Sequence, residues 1–562
     1  MRNPLATRER AERDARHQHD EHKRANASNV KASASNVKAS FTRIARALRS
    51  VAAKGKAHKH VPLGLLAAIC LVVALVSAFV IADGGSRAKS PAKAGARFSA
   101  GTRAPLLTPS GGLSVSLDLA HPGPRVPRAF LGLSFEMSSL HQIVSYAERG
   151  NLVTMLRTLG SGVLRFGGVS ADTEVAWTDP HMPRPAWASR TLNAKELEAL
   201  RKLAARSGWH VLLTLGLAHY DPRAAASEAA AAKRALGRWL MGVELGNEPD
   251  AYARHGLRPE PWTFSQYDAQ ASAYRRAIER VAPGIAIVAP DVSGSLVFDQ
   301  WGRGASTHDR PVLLTGHHYP LGCHSVPPPT ITRLLSMPIR RAEDLSLHRY
   351  MVVSSKGTLP FRLDEANSVS CGGKAGISDR FASALWAVDY IAHAMVAGLT
   401  GINLQGNPSN CNGYTPLCAP SPQALASGAL SAQPEWYSLL LSRALLGDRP
   451  VREILSPSSA NVDVLALVGE KGALHLLIVD DEPLAAGHVA VHLRLGPRFR
   501  RATDLRLTAP SPAASFGVRL GGRLVKGDGT WRAPTQTDRP IRSGTITIDV
   551  APASATLVTA TP

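Results

Sequence analysis

The 562-residue chain has few of the residues that mark metal-binding or disulfide-dense proteins. Its five cysteines are too sparse for a disulfide scaffold, and the chain has no CxxC pair and no HExxH segment. The usual zinc signatures are therefore missing, and we predict no metal and no cofactor. No glycine-rich turn follows the first predicted strand, which argues against a nucleotide-binding sheet. Hydrophobic residues make up 44% of the chain, enough for a folded core.

The formal charge is +22, and it is concentrated at the start of the chain. Residues 1–60 hold 15 Lys and Arg against 5 Asp and Glu, and the segment ASNVKAS occurs there twice, at 27–33 and 34–40. Such a composition predicts a disordered basic tail. In the rest of the chain, the basic charge suits an acidic ligand such as a uronate glycan, but it is equally compatible with a solvated surface.

Residues 61–82 form an uncharged apolar run of 22 residues. As a helix this run would be roughly 33 Å long, enough to cross a bilayer, so we predict a transmembrane helix or signal anchor. The basic N-terminal flank favours a cytoplasmic N-terminus and an extracytoplasmic body at the cell membrane. Small residues before and at Ala82 also resemble a cleavage site, and cleavage there would make the protein secreted. The segment 83–112 is predicted to be a flexible linker.

The cysteines outside the apolar run are even in number. In an oxidising compartment they predict two disulfides, for which three pairings are open. A bond between the last two would close a short loop. The four candidates are Cys323, Cys371, Cys411 and Cys418.

Eight short apolar runs alternate with helical patterns between residues 113 and 449. Such alternation predicts parallel strands covered by helices, and we interpret it as a (β/α)8 barrel, with an open doubly wound sheet as the alternative. The runs cover 130–136, 163–168, 210–216, 242–248, 286–291, 312–319, 360–366 and 401–406.

The pattern changes at about residue 450. Short alternating runs separated by turn residues predict a β-sandwich over 450–562, and the early run at 113–119 is compatible with one more strand of it. The predicted fold class is thus an α/β barrel followed by a β-sandwich, preceded by the tail and the membrane segment.

Polar residues recur at one end of the predicted barrel strands, where the active sites of such barrels are built. They are Glu136, Asn247, Glu248, Asp291, His317, His318, Tyr319, Glu365, Asn403 and Gln405. A metal role for the two adjacent histidines is disfavoured, because neighbouring strand residues face opposite ways.

Two of these residues, Glu248 and Glu365, have the character of a glycosidase pair. Cleavage of a glycosidic bond needs an acid on the leaving oxygen and a second carboxylate at the anomeric carbon. Asn247 beside Glu248 is placed to hold a sugar hydroxyl. By contrast, Glu244 is expected to be structural, and Asp364 should point away from Glu365 by strand alternation.

Several stretches around these residues resemble glycoside hydrolase family 79, the β-glucuronidase and heparanase family. The stretches include FLGLSFE, VELGNEPD, APDVS, GHHYP, RLDEANS and GISDRFASALWAVDYIAHAM. The last is more similar to the β-glucuronidase branch. The resemblance implies a retaining hydrolase with Glu248 as acid/base and Glu365 as nucleophile. It also implies that Tyr319 bonds the nucleophile and that His317 supports the site.

The resemblance assigns the substrate contacts residue by residue. Glu136 matches an acidic residue that contacts sugar hydroxyls. The family's uronate-binding tyrosine is replaced by Ser370, whereas the amides of Gly372 and Gly373 are retained as a candidate anion nest. Two residues of the last strand are expected either to line the sugar pocket or to be structural, Asn403 and Gln405.

The leading hypothesis is a membrane-tethered exo-β-glucuronidase that removes glucuronic acid from glycans or small glucuronides by double displacement. Alternatives in the same class are a heparanase-like endo-enzyme and a β-glucosidase-type relative. A non-catalytic glycan-binding protein is a further alternative, which retention of both glutamates disfavours. The predicted partners are a carbohydrate substrate and the membrane, with no nucleic acid.

Overall fold

The computed structural model describes residues 112–308, 311–456 and 458–562. The predicted tail, the predicted membrane segment at 61–82 and all but the last residue of the predicted linker lie outside these ranges. Within them, no helix is long and apolar enough to cross a membrane.

The eight predicted parallel strands are all present and close into a barrel, which confirms the barrel prediction over the open sheet. Strands adjacent in the chain are neighbours in the barrel, and the last strand pairs with the first. Their residues are almost entirely buried, because helices cover the outer face and side chains fill the inside. The strands are β2 (Leu131–Glu136), β3 (Val163–Gly167), β4 (His210–Leu215), β5 (Leu240–Leu245), β6 (Ile287–Val292), β7 (Leu313–His318), β8 (Phe361–Ala366) and β9 (Gly401–Gly406).

Helices connect the barrel strands, and two of them begin with well-formed caps. Asn193 and Glu196 form a capping box at one helix, and Asp221 accepts two backbone N–H groups at the next, just before Pro222. The helices are α1 (Leu140–Ser145), α2 (Leu152–Leu159), α3 (Val169–Thr173), α4 (Ala194–Ser207), α5 (Pro222–Leu236), α6 (Phe264–Val281), α7 (Ser295–His308), α8 (Ile331–Leu334), α9 (Met337–Gly357), α10 (Phe381–Ala397), α11 (Pro422–Ser427) and α12 (Pro434–Ser442).

Shorter elements lie in the loops of the barrel and of the region after it. Two two-stranded ribbons lie in the barrel loops, one of Val175–Trp177 with Arg190–Leu192 and one of Leu417–Cys418 with Ser431–Ala432. Single 3-10 turns occur at Met137–Ser139, Gly237–Trp239, Pro249–Ala251, Arg443–Leu445, Glu470–Gly472 and Leu484–Ala486.

The residues after the barrel form a separate ten-stranded sheet, together with β1 (Leu113–Asp118) from before it. β1 pairs with strands of the C-terminal region on both sides, antiparallel to one and parallel to the other. Apolar residues from both halves of the sheet share one core, so the sheet is folded onto itself. The other strands are β10 (Arg449–Leu455), β11 (Val462–Val468), β12 (Leu474–Asp480), β13 (Val489–Arg494), β14 (Arg501–Thr508), β15 (Arg519–Leu520), β16 (Arg539–Pro540), β17 (Thr545–Val550) and β18 (Ser554–Thr561).

One stretch that the sequence analysis took as a sandwich strand is shorter than its alternation indicates. Of the run from 517 to 525, only Arg519–Leu520 is a strand. Gly521 and Gly522 follow with φ of 58° and 73°, a left-handed conformation that ends the extended chain. The periodicity of apolar residues therefore continues through a turn.

The barrel and the sheet pack through a buried charged cluster. Arg340 of α9 donates to Asp389 of α10 at 2.7 Å and to Asp481 beyond β12 at 2.5 Å. His393 contacts Asp463 of β11 at 2.5 Å. Because these carboxylates come from both parts of the fold, the cluster joins the barrel to the sheet.

Two disulfides cross-link the loops above the barrel. Cys323 is bonded to Cys371, which joins the loops that follow β7 and β8. Cys411 is bonded to Cys418 within the loop after β9. The structure thus selects one of the three pairings left open by the sequence.

We expect Arg340→Leu to lower the free energy of unfolding by about 3–5 kcal/mol, because it leaves two buried carboxylates without their cation. Chemical denaturation measures the loss. The matched control is Arg303→Leu, which breaks an exposed pair with Asp299 and should cost less than about 1 kcal/mol. Equal losses in the two variants would show that the cluster does not hold the interface.

Candidate active site

The predicted site residues meet at the C-terminal mouth of the barrel, around a buried arginine. Arg165 of β3 is completely buried, and its guanidinium reaches side chains from four other strands or strand ends. Its donor-to-acceptor distances are 2.6 Å to Glu365 Oε2, 2.8 Å to Asp291 Oδ2, 2.9 Å to Asn247 Oδ1, 3.0 Å to Glu244 Oε2 and 3.3 Å to Ser134 Oγ.

Arg165 stays charged in this environment. Burial opposes the charge, but Asp291, Glu244 and other carboxylates raise the pKa of Arg165 well above its usual value. The guanidinium in turn fixes one oxygen of Glu365 and the side chain of Asn247. The sequence analysis missed Arg165, although an arginine inside a strand of otherwise buried apolar residues was the available signal.

His317 links the two glutamates. Its Nδ1 lies 2.9 Å from Glu248 Oε1 and 3.8 Å from Glu365 Oε1, and its Nε2 lies 2.7 Å from Asp291 Oδ1. Only a doubly protonated ring can donate to carboxylates from both nitrogens. Burial opposes this charge, but Glu365 and Asp291 raise the pKa of His317 well above its usual value.

The protonated His317 determines the state of Glu248. Burial by itself would raise the pKa of Glu248, but the hydrogen bond from His317 and its positive charge lower the pKa below its usual value. Glu248 has φ 47° and ψ 52°, an uncommon conformation for a residue other than glycine. Its N–H donates to the carbonyl of Asp291 at 2.9 Å, which holds this turn at the end of β5.

Two tyrosines lie near the Glu365 oxygen that Arg165 does not contact. Tyr319 donates to Glu365 Oε1 at 2.7 Å, as the resemblance implies. Tyr414 lies with its hydroxyl 3.5 Å from that of Tyr319, and the two rings are stacked with centroids 5.8 Å apart. Burial and the charge of Glu365 raise the pKa of Tyr414 above its usual value. The sequence analysis missed Tyr414, because nothing in its loop signals where the side chain lies.

The two predicted nest glycines lie next to Tyr414. The carbonyl of Gly372 accepts the N–H of Tyr414 at 3.2 Å, and the N–H of Gly373 donates to Ser370 at 3.3 Å. A Cβ at Gly373 would stand 2.3 Å from the Tyr414 nitrogen, so only glycine fits. Because one nest amide already has a protein acceptor, the segment's visible role is to position Tyr414.

Glu136 reaches the same mouth from β2. Its Oε2 accepts the backbone N–H of Ser170 at 2.9 Å and the Ser170 hydroxyl at 2.5 Å. Burial raises the pKa of Glu136, and the nearby charge of Glu365 adds to the increase. Gly168 makes room for this carboxyl, since a Cβ there would stand 2.4 Å from it.

Asn403 lies deeper in the barrel than the mouth. Its side-chain amide donates to the carbonyls of Leu133 and Val163 at 2.9 and 3.0 Å, and its oxygen accepts from Arg362 at 2.6 Å. The side-chain nitrogen and oxygen of Asn403 are therefore both bonded within the protein. This fits a structural role for Asn403 rather than a place in the sugar pocket. Gln405 is also buried, and its Oε1 has no hydrogen-bond partner among the residues described.

Asp291, His317 and Asp364 have ligand atoms within 4.8 Å of one another, a spacing that could hold a metal ion. Arg165, however, lies 2.8 Å from Asp291 and 3.5 Å from Asp364. A metal ion placed there would be repelled by the guanidinium. His318 faces away from this group, bonded to Glu343 at 3.0 Å.

A barrel of this kind with two glutamates at its mouth has the architecture of a glycosidase, and the comparisons with known proteins point to the same class. No family model matches the chain. It is 27% identical over 210 residues to a β-glucuronidase of Aspergillus niger, which covers 33% of this chain and 38% of that protein. A β-glucuronidase of Neurospora crassa is 27% identical over 222 residues, or 35% of this chain and 37% of that protein. The chain thus matches less than half the length of these relatives.

Solved structures share the fold. A 4-O-α-L-rhamnosyl-β-D-glucuronidase from Fusarium oxysporum has a TM-score of 0.65 at 17% identity, covering 79% of this chain and 98% of that one. A family 51 arabinofuranosidase from Xanthomonas axonopodis has a TM-score of 0.58 at 13% identity, covering 80% of this chain and all of the other. At these identities the likeness establishes the fold alone.

We expect His317→Gln to raise the pKa of Glu248 above its usual value, because the variant removes the positive charge and leaves burial to dominate. Carbon-13 NMR of labelled glutamate side chains follows the titration. The control is His308→Gln, an exposed histidine bonded to Asp268. An unchanged Glu248 titration in His317→Gln would contradict the coupling between the two residues.

Proposed function

We propose that the protein is a retaining glycoside hydrolase that cleaves β-linked glucuronic acid from glycans or glucuronides. The observation that carries the proposal is the approach of Glu248 and Glu365 to the same nitrogen of His317, at 2.9 and 3.8 Å. The partial identity to two β-glucuronidases supports the choice of sugar.

The spacing of the two carboxylates supports a double-displacement mechanism. Because one oxygen of each lies near His317 Nδ1, Glu248 Oε1 and Glu365 Oε1 are no farther apart than the sum of the two distances. That limit includes the gap of about 5–5.5 Å found in retaining enzymes. It reaches only the lower edge of the roughly 6.5–9.5 Å that inverting enzymes need to admit a water molecule.

In the first step Glu365 attacks the anomeric carbon. Arg165 and Tyr319 each donate a hydrogen bond to Glu365, one to each oxygen, which fixes the orientation of the carboxyl group. The bond to the leaving oxygen breaks as the bond to Glu365 forms, and the leaving oxygen needs a proton. Glu248 delivers this proton.

Glu248 and His317 act as one proton-holding pair in this proposal. In the free site the proton resides on His317 Nδ1, as the directions of the two pKa shifts indicate. A shift of that proton to Glu248 Oε1 provides the acid for the leaving group. In the second step Glu248 accepts a proton from water, which attacks the glycosyl–Glu365 ester and releases the sugar.

We further propose that Tyr414 contacts the sugar at its carboxylate. The family's tyrosine is absent at Ser370, whose hydroxyl accepts the N–H of Cys323 at 3.1 Å. Tyr414 brings a phenol to the same segment, because its own N–H is held by Gly372. Glu136 and Asn247 would contact the sugar hydroxyls.

A cavity of about 390 Å³ lies beside the site, between the loop after β6 and helix α9; Tyr319 and His317 belong to its wall, whereas Glu248 and Glu365 do not. Its volume lies in the range of ligand pockets, and we propose that it takes a part of a glycan substrate away from the cleaved bond. The two disulfides support action in an oxidising compartment, and we propose that the apolar segment 61–82 anchors the enzyme at the cell membrane.

Glu365→Gln should abolish turnover of every glucuronide, because no covalent intermediate forms. Glu248→Gln should lower kcat by about 10²–10⁴-fold for poor leaving groups and far less for an activated aryl glucuronide, which departs without a proton. Steady-state kinetics on the two substrate types separates the roles. The exposed Glu174→Gln serves as a control with wild-type turnover. Substantial activity in Glu365→Gln would exclude Glu365 as nucleophile.

The wild-type enzyme should prefer an aryl β-glucuronide to the matching β-glucoside, and Tyr414→Phe should reduce that preference several-fold. The measured quantity is the ratio of kcat/KM for the two sugars. Tyr220→Phe, at a tyrosine 46% exposed, should leave the ratio unchanged. An unaltered ratio in Tyr414→Phe would show that Tyr414 does not bind the uronate. Equal kcat/KM values for the two sugars in the wild type would contradict the proposed glucuronide specificity.

A further inference from the structure

A second cavity opens beside the candidate active site. It has a volume of about 330 Å³ and lies between the inserted segment 175–192 and helix α5. Asp172 belongs to its wall and also accepts the N–H of Asn247 at 2.9 Å. The same side chain therefore borders the cavity and supports the residue next to Glu248.

Glu228 of α5 lines this cavity and is only 7% exposed. No other group in the described part of the chain donates a hydrogen bond to its carboxyl or pairs with it. Burial raises the pKa of Glu228 to about 8, with no opposing contribution. Glu435 offers a contrast, because that buried carboxyl accepts hydrogen bonds from Ser383 and Asn367.

A carboxyl that is 7% exposed and has no protein partner loses most of its contacts with water and gains no protein hydrogen bond in return, which disfavours the folded state. The residues one turn before and after Glu228 in the helix are alanines, namely Ala224, Ala225, Ala231 and Ala232, and an apolar residue would fit that face better. A ligand in the cavity that supplies hydrogen-bond partners to the carboxyl would offset this cost.

We propose that this cavity is a second sugar-binding site, which takes an uncharged pyranose unit hydrogen-bonded to Glu228. We place this unit in the same glycan as the cleaved glucuronide, and only this placement rests on the proposed function. The volume falls within the range of about 300–1,000 Å³ for ligand sites.

The lining of the cavity favours an uncharged sugar. Trp187 and His219 belong to the wall and stack on each other with ring centroids 3.9 Å apart and planes inclined by 10°, so the C–H face of a pyranose can pack only on the outer face of Trp187, which is 36% exposed. The wall carries no lysine or arginine, whereas Asp172 and Asp221 belong to it, so an anionic sugar is repelled. A protonated Glu228 offers one donor and one acceptor, the combination that sugar hydroxyls match.

The binding test uses saturation-transfer NMR on the full-length chain with methyl β-D-glucopyranoside as the probe. We expect binding that persists when excess glucuronate occupies the active site. Glu228→Leu should weaken the affinity by about tenfold or more, as loss of hydrogen bonds to a buried group does. Glu228→Gln, which still donates and accepts, should stay within a few-fold of the wild type. The exposed Glu198→Leu is the matched control and should bind normally.

Three results would overturn the proposal: displacement of the probe by glucuronate, unchanged affinity in Glu228→Leu, or binding of glucosamine but of no neutral glycoside. Because binding is measured without turnover, a protein that binds the probe but cleaves no glucuronide would refute the proposed function alone. A protein that cleaves glucuronides but fails the binding test would refute only the second site.

Unfolding experiments test whether Glu228→Leu is folded and more stable than the wild type. Between its usual pKa of 4.5 and about 8, the wild-type carboxyl is protonated in the folded state and ionised in the unfolded state. The group therefore lowers the free energy of unfolding by an amount that increases with pH. The advantage of Glu228→Leu in unfolding free energy should therefore grow across that range. His181, His219, Asp172, Asp221 and Tyr274 line the same cavity and are present in both proteins. A variant less stable than the wild type would contradict the unpartnered state of Glu228.

Discussion

The positive charge of Arg165 is the interaction on which the rest of the site depends. Four carboxyl groups lie within 3.5 Å of its guanidinium. Burial opposes the ionisation of Asp291, but the positive charges of Arg165 and His317 lower the pKa of Asp291 below its usual value. By contrast, burial and the neighbouring carboxylates raise the pKa of Asp364 and Glu244. Because these carboxyl groups come from different strands, the arginine also fixes the relative positions of those strands at the barrel mouth. Catalytic geometry and barrel stability therefore depend on the same side chain.

A second buried arginine shows that the pKa of a buried guanidinium depends on the charge of its partners. Arg362 of β8 donates to Asn403 and to the carbonyls of Ala129 and Phe130, all of them neutral groups. Burial lowers the pKa of Arg362 to about 9, whereas the carboxylates around Arg165 raise the pKa of that residue. A pKa of about 9 still leaves Arg362 charged at neutral pH, so the interior of the barrel has a cation bonded to neutral groups beneath a cation bonded to carboxyl groups. Glu365 contacts the upper of the two cations.

The sequence predicted all eight barrel strands, because continuous apolar runs between helical patterns have no other common explanation. It also brought Glu248, Glu365, His317 and Tyr319 to one mouth, since parallel strands end on the same side. What it could not predict were contacts that depend on loop paths. Tyr414 arrives from a loop after β9, and the turn at Gly521 interrupts a pattern that still alternates. Side-chain partners such as those of Asn403 also require coordinates.

The position of β1 has a consequence for how the chain reaches this fold. The N–H of Ser114 is bonded to the Ser456 hydroxyl, 342 residues later in the chain. The sheet is therefore interrupted by the entire barrel, and β1 has no partner strand until residues 449–494 have been synthesised. An unpaired strand edge is a site where other chains can pair, so β1 carries that risk for as long as the barrel is being made. Its pairing with β10 and β13 joins the segments before and after the barrel in one sheet.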